Sequence, residues 1–447
     1  MAEAVLSSTE TALENQRTGA LQIRVALLCA LIQALDGYDI SAIGMAVPSL
    51  SHAWSLPGAA FARTFVMSSV GILIGALASG PAADRFGRKP VLLVGTAFIG
   101  VFSMLSAFAS SLDQLTLYRL LTGIGIGDIM AVTVALTSDY TAQRNRATVI
   151  MMMFCGNPVG GFIGGQIVAQ ILPYFGWPCI FVLGGAVPLL LLPVLALWLP
   201  ESPRFLLARG AGSARHAALL SRMNLASAAA SASAPVDVAA GNPVKMLFAD
   251  GFAARTALVW IVYFANLLDI YLIQYWMPEV LHLGGMTPAS AVFAASLQGL
   301  GGVLSTIYLG PLIRRFGAAR VLAANLASGV LFVAALAFGH LPYAVALLAI
   351  LGIGASTIGS MLGINGFCAT IYPARMRTTG VGWALGIGRL GGIAGPAIGG
   401  LLLSLGWPPP QIFLSACAMA VIAAVAIIFL GSRTIAAARG ALVMPAS

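Results

Sequence analysis

Twelve predominantly apolar runs pass along this chain, near 22–50, 58–83, 90–110, 113–138, 147–172, 177–199, 252–281, 287–313, 319–339, 342–370, 379–405 and 408–431. Each is long enough to cross the hydrocarbon core of a bilayer, which takes about 20 residues of helix. Lipid offers no partner to a free N–H or C=O, so a spanning segment must be a helix or part of a closed barrel. Runs of this length without strict alternation are helices. A soluble domain is excluded as well, because only 8% of the 447 residues are charged and 59% are hydrophobic, where soluble proteins carry about 25% charged residues. The expected fold class is an all-α membrane protein with twelve transmembrane helices.

The formal net charge of +9 does not point to nucleic acid, because of where the cations lie. Of 23 Lys and Arg, all but Arg63, Arg119 and Arg389 fall in the N-terminal segment, the C-terminal tail or the even-numbered connections with their edges. The positive-inside rule then places both termini and those connections in the cytoplasm. Cys29, Cys155, Cys179, Cys368 and Cys417 all sit in expected spans with no metal-binding spacing, and read as small core residues. The four histidines fall in loops or at span ends, and no metal, phosphate or nucleophile constellation accompanies them, so neither an enzyme nor a cofactor is expected. The polar, acidic start MAEAVLSSTETALENQ differs from the basic lead of a secretory signal, which predicts that the first helix is retained.

Inside the first run lie Asp36 and Asp39. A charge at membrane depth costs roughly 2.5–3.5 kcal/mol even on lenient scales, so such residues face a polar interior and carry function. At i and i+3 the two share a helix face, and burial beside a like charge leads us to expect a proton on at least one of them during part of a cycle; permanent ionisation by Arg partners is the alternative. The pair returns in altered form as Asn266 and Asp269, at an offset of 230 (269 − 39), and the same offset carries Pro48 onto Pro278, Gly80 onto Gly310 and Gly87 onto Gly317. Arg144 and Arg146 reappear as Arg375 and Arg377 at an offset of 231. A low-complexity stretch, LASAAASASAPVDVAAGNP, separates the copies. The expected organisation is a six-helix bundle over 1–199, a cytoplasmic linker over 200–250, and a second six-helix bundle over 251–447 ending in a short cytoplasmic tail. Such parallel repeats bind substrate near the midplane between halves.

Between spans 2 and 3 the chain reads Gly80-Pro-Ala-Ala-Asp84-Arg85-Phe86-Gly87-Arg88-Lys89-Pro90, echoed by Gly310-Pro-Leu-Ile-Arg314-Arg315-Phe316-Gly317. Glycine permits a tight turn, and Asp84 is placed to pair with Arg88 or a helix N-terminus; a merely topology-setting basic loop is the alternative. The segment resembles the loop signature of the major facilitator superfamily. That resemblance implies a conformational role for Gly80, Asp84, Arg85, Gly87 and Arg88, with Asp84 as a latch, whereas Arg314 occupies the acid's place in the second copy. Arg119-Leu-Leu-Thr-Gly123-Ile-Gly125-Ile-Gly127-Asp128 resembles the superfamily's Arg-then-glycine element of span 4. Asp128 falls on the face opposite Arg119 and admits two readings, a structural hydrogen bond or a proton site. Pro200-Glu-Ser-Pro-Arg-Phe-Leu-Leu207 resembles the sequence that closes span 6 and is read as an exit boundary. The glycines from Gly156 to Gly165 are read as packing.

Asp36-Gly-Tyr-Asp39, Ser138-Asp139-Tyr140, Tyr275-Trp-Met-Pro278 and the run from Tyr372 through Arg377 and Trp383 to Arg389 together resemble the aromatic acid/proton symporter family of that superfamily. The resemblance implies the major facilitator fold, uptake of benzoate-type or hydroxybenzoate-type anions with protons, a bacterial inner membrane, action as a monomer, and functional roles for Asp36, Asp39, Asp84, Arg119, Asp139, Arg377 and Arg389. Two departures are Asp139, often Glu in the family, and Ala319, where some members carry His. An aromatic carboxylate needs aromatic walls and one fixed cation. Arg389, the basic residue deep in the second half, suits a carboxylate through its two-pronged donor; permanent neutralisation of Asp269 is its alternative role. Candidate walls are Tyr38, Tyr263, Phe264, Tyr271 and Trp383, while Trp276 is read as part of an interfacial belt. Competing functions on this fold are a proton-coupled efflux antiporter or a carrier of another small organic anion.

Overall fold

The computed structural model describes residues 19–209, 247–249, 252–338 and 341–443. Among these, every regular element is helical: α1 (Ala20–Trp54), a 3-10 turn (Gly58–Phe61), α2 (Ala62–Phe86), α3 (Arg88–Ser106), α4 (Leu112–Tyr140), α5 (Gln143–Phe154), α6 (Gly156–Phe175), α7 (Pro178–Trp198), α8 (Pro203–Arg209), α9 (Ala253–Leu283), α10 (Pro288–Phe316), α11 (Ala318–Phe338), α12 (Tyr343–Ile371), α13 (Ala374–Ser404) and α14 (Pro409–Val443). They supply twelve helices long and apolar enough to cross a membrane, as the apolar runs predict. The fifth span is α5 and α6 in series, Arg144–Phe175. The residues before 19 and most of the expected linker lie outside the described residues.

Local chemistry sets the ends. Ser111 caps α4 by accepting from the Gln114 N–H at 3.3 Å, and Thr287 caps α10 by accepting from the Ser290 N–H at 3.2 Å, with Pro288 at the first helical position. Between α2 and α3 the backbone turns at Gly87 with φ 101°, and between α10 and α11 at Gly317 with φ 87°. Both angles disfavour a side chain, so the duplicated glycines of the loop signature have one physical cause.

Packing sorts the residues into two compact units that do not follow chain order. One takes the chain up to Asp39, Val70–Gly160, and Phe181 onward to the linker; the other takes Ile40–Ser69, Gly161–Ile180 and the chain beyond the linker. In the first unit α1 crosses α6 at small residues: a Cβ on Gly37 would overlap the Asn157 carbonyl, and one on Gly160 the Ala34 carbonyl. Gly156, against the Ala30 carbonyl, and Gly160 are thus contact points between backbones. In the second unit α13 lies on α9 in the same way, with Gly391 against the Phe264 carbonyl and Gly395 against that of Leu268.

Trp276 corrects the sequence reading. It is fully buried, donates its indole N–H to the Pro396 carbonyl at 3.1 Å, and meets Phe65 edge-on at 4.9 Å. Tyr275 stacks on the Phe65 ring at 4.8 Å. An indole whose N–H finds a protein partner has no need of the headgroup layer.

Candidate functional site

In the first unit α1 carries both acids into the core, each with 0% exposure. Asp39 forms an ion pair with Arg119 of α4, also fully buried, and accepts the Ser103 hydroxyl of α3 at 2.7 Å. The second guanidinium nitrogen reaches the other carboxylate oxygen at 3.3 Å, and the Arg119 carbon lies 5.6 Å from the Phe181 ring centre. Gly184 leaves the room: its Cβ would stand 3.3 Å from Asp39 Oδ1 and 3.1 Å from the Tyr38 ring. Asp36 turns to a different neighbour, accepting from the Asn157 amide of α6 at 3.1 Å. The two acids, three residues apart on α1, thus bond to different helices, Asp39 to α3 and α4 and Asp36 to α6. Residues about 60° apart can do so.

A second polar cluster closes one end of this unit. Asp139, at the last turn of α4, pairs with Arg88 at 3.1 Å and Arg204 at 3.5 Å and accepts the Ser202 hydroxyl at 2.6 Å. Glu201 accepts from the Arg88 and Lys89 backbone N–H groups at 2.8 and 3.3 Å, and its carbonyl accepts the Tyr140 hydroxyl at 2.7 Å. A carboxylate on the first N–H groups of α3 is favoured by both hydrogen bonding and the helix dipole. The Pro200–Leu207 segment, read from sequence as a boundary, is thus part of the cluster. Arg88 pairs with Asp139 rather than with Asp84, which is exposed and has no ion pair among the described residues. Gly80 has open space around it, and Arg85 lies over Phe86 at 5.3 Å. Glu201, Ser202, Arg204, Asn157 and Ser103 escaped the sequence reading. Asp139, an acid at the end of an apolar span that demands a partner, was the one signal for the first three.

Asp128 faces α2 and α3. It packs on Gly95 beside a cavity of about 160 Å³ lined also by Gly75, Val91 and Phe98. It makes no side-chain hydrogen bond among the described residues, which removes the structural hydrogen bond from its two readings.

The second unit holds the other candidates. Arg389 of α13 is half-buried and donates to the Tyr271 hydroxyl of α9 at 3.2 Å. Asp269, two residues before Tyr271, is 1% exposed, makes no ion pair among the described residues, and leaves Oδ1 without a hydrogen-bond partner. Permanent neutralisation of Asp269 by Arg389 is therefore not what this geometry provides. Tyr263 is buried and donates to Asn365 Oδ1 at 2.7 Å, Phe264 is half-buried, and Trp383, 45% exposed, stacks on Trp260 at 6.1 Å. Tyr372 donates to Thr256 Oγ1 at 3.3 Å. Burial pushes its phenol above the usual range, which keeps it a donor. The Arg377 side chain lies outside the described residues. No group of His, Cys, Asp and Glu able to hold a metal occurs among the described residues.

Comparison with known proteins gives the family. The chain matches the family described as Major Facilitator Superfamily over residues 29–365 and 259–441. It is 37% identical to a 4-hydroxybenzoate transporter of Pseudomonas putida over 425 residues, covering 94% of each chain. It is also 37% identical to a gallate transporter of the same species, over 90% of each. Its fold superposes on that of the Escherichia coli xylose transporter XylE with a TM-score of 0.70 at 19% identity, over 91% of this chain and 97% of the other.

Proposed function

The chain belongs to the major facilitator superfamily, a family of membrane transporters rather than enzymes, and from that premise we propose that it takes up an aromatic carboxylic acid, of the benzoate or hydroxybenzoate kind, together with protons by alternating access. It does so in a bacterial inner membrane as a monomer, with both termini cytoplasmic and residues 1–199 and 251–447 as the two rocking bundles. One observation carries the reading: three carboxyl groups, Asp36, Asp39 and Asp269, sit at 0–1% exposure in apolar helices, a depth at which acids are costly and are kept for function; Asp39 is compensated by Arg119, and Asp269 has no ion pair among the described residues. The relatives named above, a 4-hydroxybenzoate and a gallate transporter, support an aromatic acid as the substrate.

Each residue then has work to do. Arg389, steadied by the Tyr271 hydroxyl, offers its fork to the substrate carboxylate, and Tyr271, Tyr263, Phe264 and Trp383 offer flat apolar surface to the ring. Arg119 compensates Asp39 until a proton replaces it. The Asp139 cluster, with Arg88, Arg204 and Glu201, ties the ends of α3, α4 and α8 together in one conformation, and we assign the latch to it jointly with the Gly80–Arg88 loop. The test is uptake into proteoliposomes of labelled benzoate, hydroxybenzoates, gallate and a sugar under an imposed pH gradient. Aromatic acids should concentrate and the sugar should not. With protein amount equalised, Asp39→Asn should lose gradient-driven accumulation; full accumulation by that variant refutes the role of Asp39.

A further inference from the structure

Glu279, near one end of α9, has no place in the mechanism above, yet it is the most deeply buried glutamate among the described residues, at 2% exposure. Its Oε2 has no hydrogen-bond partner. The 3-10 turn that joins α1 to α2 lies directly on its carboxyl group: a Cβ on Gly58 would overlap Oε1 and stand 3.0 Å from Cδ. Only the absence of a side chain at 58 lets the turn sit so low. The surrounding seam is closely packed within the same unit. Ser41 accepts from the Gln274 amide at 2.8 Å, Phe65 stacks on Tyr275, and a Cβ on Gly400 would overlap Ala62.

Among the described residues no arginine or lysine is paired with this carboxyl from the elements packed around it. The turn Gly58–Phe61 carries no charge, nor do the first turns of α10 or the end of α13 beyond Pro396. Arg63 at the start of α2 and His52 at the end of α1 are exposed. On α9 itself the titratable neighbour is His282, which acts on this carboxyl electrostatically when charged and whose ring nitrogen lies 2.8 Å from the Met286 carbonyl. A carboxylate covered this way, with one oxygen bare, is far costlier than the neutral acid.

We propose that Glu279 is a proton-binding latch, on whose neutral carboxyl the Gly58–Phe61 turn closes and whose ionisation releases that turn. The inference rests on the reading given under Proposed function, which sets this end outside the cell and requires it to open once per cycle. Opening wets the carboxyl and lets it ionise, and closing requires it to take a proton from the outside. Because a ligand shifts an equilibrium toward the state that binds it, acid outside favours the closed form. The proton is taken up and returned on the same side, so the latch sets the rate of closure and adds nothing to the driving force.

The experiment is labelling of Ala62→Cys by a membrane-impermeant maleimide at about pH 5.5 and about pH 8, with Glu279 and with Glu279→Gln. Comparing the two backgrounds at each pH cancels the thiol's own titration. Labelling with Glu279 should rise, relative to the Gln background, by about threefold or more toward the higher pH. Gly58→Ala, which retains the carboxyl, should raise labelling at both values. Steady-state accumulation of the aromatic acid should be unchanged in Glu279→Gln. Equal pH dependence in the two backgrounds overturns the latch, and so does loss of accumulation in Glu279→Gln, which would make Glu279 a carrier. If wild-type protein concentrates no aromatic acid, the uptake reading fails while the labelling comparison still judges the latch.

Discussion

Asp39 and Asp269 occupy equivalent positions of the repeat and meet opposite surroundings. Asp39 has Arg119. The offset of 231 that relates Arg144 to Arg375 puts Ile350 where Arg119's counterpart would be (350 − 119), and Ile350 is fully buried. Removing one member of a buried ion pair strands the other, at about 3–5 kcal/mol. Removing an acid that, like Asp269, has no ionic partner among the described residues strands nothing there. Asp39→Asn should therefore lower the thermal midpoint of the detergent-solubilised protein by many degrees, and Asp269→Asn by little, within about 1 kcal/mol. Equal losses would mean that Asp269 has an ionic partner after all. Both acids were legible in the sequence because an ionisable residue within an apolar run is rare whatever surrounds it. The partner of Asp39 was not, because Arg119 lies 80 positions away and only the crossing of α1 and α4 brings the two together.

At the scale of elements, run length and composition located all twelve crossings, since each helix must satisfy its own backbone in lipid. What they could not locate is the capping of one element by a distant segment. Glu201 binds the N-terminus of α3 from 113 positions away, so its segment looked like punctuation. Glycine had the same ambiguity, and the structure separates its uses. At the α1–α6 crossing a methyl on Gly160 would run into the Ala34 backbone, whereas at Gly310 of α10 nothing lies within 4 Å. Gly160→Ala should force the two helices apart and cost about 1–3 kcal/mol. Gly310→Ala should leave stability unchanged or raise it by up to about 1 kcal/mol, because alanine restricts the unfolded chain and suits a helix. Melting curves of the two single variants check the pair of signs. If Gly160→Ala melts with or above the wild type, the close crossing does not hold in solution.

Across the whole molecule the duplication was readable from landmarks, but its inequality was not, and the inequality bears on energetics. A proton moving inward with one monovalent anion carries no net charge, so a one-unit pH difference gives about tenfold accumulation and voltage gives none. A second proton adds about 2.3 kcal/mol per 100 mV, or about 50-fold. In the first half the Asp39–Arg119 pair is neutral as it stands. In the second half Asp269 has no ion pair among the described residues, so under the proposed symport it is the candidate carrier of an extra proton. With equal pH on both sides and a potassium diffusion potential of about 100 mV, interior negative, wild-type vesicles should then concentrate the acid by up to about 50-fold. Asp269→Asn vesicles should respond to a pH gradient and not to voltage. Absence of voltage-driven accumulation in the wild type would restrict the cycle to one proton and leave Asp269 a permanent neutral acid of the α9 core.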